Sequence, residues 1–142
     1  MELHSCNLAT ITILDNNGAA AGELFYVPLD LGIATRGAVF TTTVERLAEQ
    51  ARPLHIRPDG TAVGEDAAEL SKIEAEFFEA LDRACGVLTA ESAFKHYRPF
   101  ALVGGNPWAV YVCKALSQIV KRVTKELYIA PRTLKQKMRN HV

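Results

Sequence analysis

Ala109, Val112, Cys113, Leu116, Val120, Val123 and Leu127 recur mostly three or four residues apart, the period of one face of an α-helix. In a strand, residues at these spacings would point to both faces of a sheet, so the segment is committed to helix. Asn106 supplies a side-chain acceptor at the cap, and Pro107 supplies the fixed φ of a first turn. A long amphipathic helix is therefore predicted from about residue 107. A second stripe, Leu70, Ile73, Phe77, Leu81, Ala84 and Leu88, has the same period. Its far face carries Glu74, Glu76, Glu79 and Asp82, and Gly86 marks its end.

The N-terminal part, 1–64, reads differently. Residues 7–14 are rich in β-branched types and run into Asp15-Asn16-Asn17-Gly18, which suits a tight turn. Residues 23–29 form a plausible antiparallel partner, with Pro28 confining it to an edge. Thr42 or Thr43 would cap a short helix that Arg52-Pro53 stops. Leu54–Arg57 and Thr61–Val63, joined by Pro58-Asp59-Gly60, read as a second hairpin. A short helix is expected over residues 89–97. The fold class is thus α+β: a small N-terminal antiparallel sheet of two hairpins, then a helical C-terminal half with the long amphipathic helix and a terminal helix. One domain is expected over 1–142, mainly β in 1–64 and mainly α in 65–142.

Composition agrees with an ordinary globular chain: 142 residues, 49% hydrophobic and 23% charged, enough to bury a core unaided. No apolar run approaches the roughly 18 to 20 residues that cross a bilayer, and the first residues do not read as an export signal. Cys6, Cys85 and Cys113 are an odd, dispersed set that suits reduced thiols. These features predict a cytoplasmic protein with no membrane partner. The four histidines, His4, His55, His96 and His141, form no metal-ligand pair, and His4-Ser5-Cys6 stands alone. No Ser/His/Asp or Cys/His grouping suggests a nucleophile, so the expectation is a non-enzyme without metal or cofactor. Gly104-Gly105 before a helix start would present backbone N–H groups to an anion. A plain turn accounts for the same residues.

The net charge is zero, but its distribution is not even. Lys114 to Val142 hold eight basic residues and one acidic residue, a net +7, which leaves −7 on the chain from Met1 to Cys113. Seven of those acids lie between Glu65 and Asp82. Such a division suggests a basic end that meets an acidic partner, or halves that attract one another in a homo-oligomer.

Within the basic end, residues 118–140 have helix-turn-helix spacing: a helix to Leu127, a Tyr128-Ile129-Ala130 connection, and Pro131 opening the next helix. Val123, Leu127, Ile129, Leu134 and Met138 would pack the pair. At Thr133-Leu134-Lys135-Gln136-Lys137-Met138 the chain resembles the C-terminal helix-turn-helix of Fis-type DNA-binding proteins. The resemblance implies a dimer reading DNA major grooves, with Arg132, Lys135, Gln136 and Arg139 in the recognition role. Lys121, Arg122 and Lys125 complete the expected nucleic-acid surface. The leading expectation is a small nucleic-acid-binding regulator built on a basic C-terminal helical hairpin. Its rival is a protein-interaction module, such as an inhibitor, adaptor or assembly protein, with no catalysis.

Overall fold

The computed structural model describes the backbone of residues 8–140 and the side chains of residues 8–127. His4, Cys6 and His141 lie outside the described residues. Two strands, β1 (Ala9–Leu14) and β2 (Ala20–Tyr26), precede α1 (Ile33–Ala51), α2 (Glu65–Cys85) and the short α3 (Ala90–Ala93). A two-residue pair, β3 (Leu102–Val103) and β4 (Asn106–Pro107), then leads into α4 (Trp108–Asn140). The chain is α+β.

β1 and β2 are antiparallel, with Ile11 opposite Leu24 and Ala9 opposite Tyr26. Asp15 closes their turn: its carboxylate accepts the N–H groups of Asn17 at 2.8 Å and Ala19 at 3.0 Å. Gly18 follows at φ 82°, a left-handed conformation that costs glycine little. Ile13, Leu24 and Tyr26 face inward and join Phe40, Leu47, Ile73, Phe77, Trp108 and Val123 in one continuous core. Phe40, Phe77 and Phe94 meet edge to face within it, at centroid distances of 5.6 and 5.5 Å.

The second predicted hairpin is not formed. Its turn is present: Gly60 N–H donates to the Arg57 carbonyl at 2.8 Å, and Arg57 N–H to the Thr61 carbonyl at 2.7 Å. Among the described residues no strand flanks it, because prolines 53 and 58 deny it ladder donors. The turn instead packs on the loop before β3, where Leu102 N–H donates to the Pro58 carbonyl at 2.8 Å. Residues 1–64 are likewise not mainly β among those described, since the longest element there is α1, with 19 residues. The helix does not begin at a threonine cap. Thr41, Thr42 and Thr43 lie inside it, and their hydroxyls donate to the carbonyls four residues earlier.

α2 buries Leu70, Ile73, Phe77, Leu81 and Ala84 as its stripe requires, and Gly86 ends it in the left-handed conformation. Leu88 falls past that end and is exposed. All four carboxylates expected on the outer face find partners: Glu76 accepts from Arg46 of α1 and Glu79 from Arg83 on its own helix. Glu74 is buried and pairs with Arg98 at 2.7 Å. Asp82 accepts the N–H groups of Thr89 and Ala90 at 2.7 and 2.8 Å, which caps α3. α3 is shorter than the 89–97 expected.

Gly104 and Gly105 have φ of 59° and 85° in the turn joining β3 to β4, so they serve a hairpin in contact with Asn16. Trp108 opens α4 fully buried; its indole N–H donates to the Ala93 carbonyl at 2.8 Å.

The terminal helix is not separate. α4 runs without interruption from Trp108 to Asn140, 33 residues, or about 50 Å at the α-helical rise. The turn implied at Tyr128-Ile129-Ala130 is therefore not formed in the described backbone. None of these three is a glycine or asparagine that reaches positive φ cheaply. Pro131 removes a ladder donor and its ring crowds the carbonyl four residues earlier, which bends a helix, but its fixed φ is itself helical.

Candidate polyanion interface

The continuity of α4 decides how the basic residues are arranged. On a helix of 3.6 residues per turn, Lys114, Lys121, Lys125, Arg132, Lys135 and Arg139 fall within an arc of about 80°. That arc lies opposite Leu116, Val123 and Leu127. It extends along about 38 Å of the axis, a length that two helices joined by a turn could not present in one line.

Lys114, Lys121 and Lys125 are exposed. Lys121 and Lys125 sit on the side of α4 turned from the body, since Val112, Leu116, Ile119 and Val123 on the opposite side are buried in the core, whereas Lys114 lies nearer the body, on the wall of an apolar cleft beside α1. α1, β1 and β2 supply the surfaces that cover that side. α1 approaches closely at Gly37, where a Cβ would stand 3.1 Å from the Val120 side chain.

Of the seven residues expected to bind nucleic acid, the helix register brings Lys121, Lys125, Arg132, Lys135 and Arg139 into line. Gln136 falls at the margin of the stripe. Arg122 is turned away from it: its guanidinium donates to the Tyr26 hydroxyl at 3.0 Å, tying α4 to β2. The side chains of Arg132, Lys135, Gln136 and Arg139 lie outside the described residues. Lys114 is the member that sequence reasoning missed. The step of seven positions from Lys114 to Lys121 signals it only once the helix is read as unbroken.

Lysine and arginine carry cationic groups on long, adjustable stems, the residue types that pair with anions. Burial pushes the Cys113 thiol up to about 11. Burial, with Asp82 adding to it, pushes the Cys85 thiol up to about 12, so both stay protonated at neutral pH. Among the described residues no group of three or more His, Cys, Asp or Glu side chains is placed to hold a metal ion. No described helix is long and apolar enough to cross a membrane. No family model matches the chain, and neither the curated proteins nor the solved structures include a match.

Proposed function

We propose that this protein binds nucleic acid through the basic stripe of α4. The observation that carries this reading is the alignment of six basic residues along one unbroken helix. An α-helix fits the major groove of B-DNA, which is about 12 Å wide. Continuous basic helices enter that groove without a helix-turn-helix, by laying one charged face along the phosphates. Contacts from Lys121, Lys125, Arg132, Lys135 and Arg139 to phosphates give affinity without sequence preference. Gln136 and Arg132 are of the types that read base edges.

Fluorescence anisotropy with a mixed-sequence duplex tests this at two salt concentrations. Binding at 50 mM salt should weaken by more than about tenfold at 200 mM, as expected for several released counterions. Replacing Arg132, Lys135 and Arg139 with Ala should lower low-salt affinity by at least about a hundredfold. Absence of binding at low salt, or binding unchanged in the triple variant, would remove the assignment and move the function to a protein partner.

A further inference from the structure

Between α1 and α4 lies a cleft of about 340 Å³, walled almost entirely by apolar groups of Val44, Ala48, Phe77, Phe100, Val110 and Cys113. It runs into a neighbouring groove through the shared residues Cys113 and Ser117. Glu45 and Glu49 are exposed on α1 beside Val44 and Ala48; Glu49 pairs with Arg52 at 2.7 Å, and Glu45 leaves this rim acidic. Lys114 stands on the opposite wall.

The same chain contains a segment that suits this cleft. Beyond Val123, the last fully buried residue among the described side chains of α4, the helix continues to Asn140. Leu127 packs half-buried against its own core, and Ala130, Leu134 and Met138 continue that face within an arc of about 80° on the helix register. This is the pattern by which an amphipathic helix fills an apolar groove. On the same register Lys137 stands at the edge of that arc, a residue type that suits an acidic rim.

A chain cannot fill its own cleft in this way. Val110, Cys113, Lys114 and Ser117 form one wall, and Leu134 lies further along the same unbroken helix, about 25 Å beyond Ser117. We propose that the cleft receives the C-terminal part of α4 from a second copy of this chain, in a reciprocal exchange that closes a two-fold dimer. Long-range charge favours the pairing, because each copy offers a +7 end to a partner that carries −7 from Met1 to Cys113. The exchange buries the apolar arc, brings the partner's tail beside Lys114 on the cleft wall, and leaves Lys121, Lys125, Arg132, Lys135 and Arg139 on the far side of the helix register. It does not depend on nucleic acid.

Light scattering on the full chain tests the proposal. The wild type should show twice the 15.6 kDa chain mass at micromolar concentration and moderate salt. Ala48→Arg places a charge in the cleft from an exposed helix position, and Leu134→Asp breaks the apolar arc of the tail. Each variant alone should run at the single-chain mass, with dissociation constants raised at least about tenfold. Mixed one to one, they should recover a heterodimer, since the first keeps its tail and the second keeps its cleft. A single-chain mass for the wild type at 100 µM, or a dimer indifferent to both substitutions, would overturn the exchange. Duplex binding by the wild type is read separately, so the failure of either idea leaves the other standing.

Discussion

Glu74 shows how a single residue departs from its pattern. It is read with Glu76, Glu79 and Asp82 as part of the outer face of α2, yet it stands four residues after Leu70 and three before Phe77, at the margin of the apolar stripe. In the fold it is 6% exposed. One carboxylate oxygen accepts from Arg98, while the other is buried without a partner among the described residues. Arg98 comes from the loop before β3, and a local pattern carries no information about a partner 24 residues away. Burial pushes the Glu74 carboxyl above its ordinary 4.5, against the opposing pull of Arg98. In the window between 4.5 and the raised value, the native state holds more protons than the unfolded chain. This group's contribution to stability therefore declines as pH rises through that window. Asp59, held down by the Thr61 hydroxyl, and Asp66, held down by the His55 N–H, act in the opposite sense, losing stabilisation as pH falls. Urea midpoints measured from pH 4 to 7 should show the Glu74 component vanish in Glu74→Gln; an unchanged profile would refute it. Arg98→Ala, which leaves the carboxylate unpaired, should cost about 2 kcal/mol once the half-exposure of the guanidinium is allowed for. Glu74→Gln/Arg98→Ala should recover part of that loss.

At the scale of elements, legibility followed the range of the interactions. The stripes of α2 and α4, the Asp15–Gly18 turn and the β1–β2 pairing are local, and each was readable from spacing and turn chemistry. The start of α1 was not, because Leu31–Gly37 contains glycines that disfavour helix in isolation. Packing supplies what propensity withholds: Gly37 lets α1 lie against α4 at Val120. Gly37→Ala should be nearly neutral, its gain in helix propensity offset by crowding. Gly37→Leu should cost about 2 kcal/mol, and Val120→Ala should restore part of that, as read by thermal unfolding. The end of α4 erred the other way. Pro131 reads as a helix start, yet inside a helix it removes one hydrogen bond and crowds the carbonyl of Leu127, which bends the axis without requiring a turn. Of the candidate interface, the residue types and their crowding at the chain's end were legible. Their alignment was not, because it depends on that continuity. Spin labels at positions 121 and 135 distinguish the two arrangements. A continuous helix separates those backbones by about 21 Å, whereas a packed hairpin would bring them to about 10 Å.

For the whole molecule, the decisive property is that zero net charge is a sum of two large opposite charges. A chain with charge evenly mixed would present little field at a distance. One with −7 from Met1 to Cys113 and +7 from Lys114 to Val142 has a strong dipole, and copies attract head to tail. Such attraction is screened within a Debye length of about 10 Å at 0.1 M salt. Solubility near the sequence isoelectric point of 6.9 should therefore rise when salt is added from a few millimolar to about 0.1 M. Arg132→Glu with Arg139→Glu changes the net charge from zero to −4 and reduces the positive pole. At pH 7 this variant should be more soluble at low salt, and its solubility should respond less to added salt. Static light scattering reads the same effect as a second virial coefficient that is negative for the wild type at low salt and rises on screening. A wild-type coefficient that is positive at low salt and falls on screening would mean that like-charge repulsion governs the approach of copies, and that the poles lie too close together to act separately.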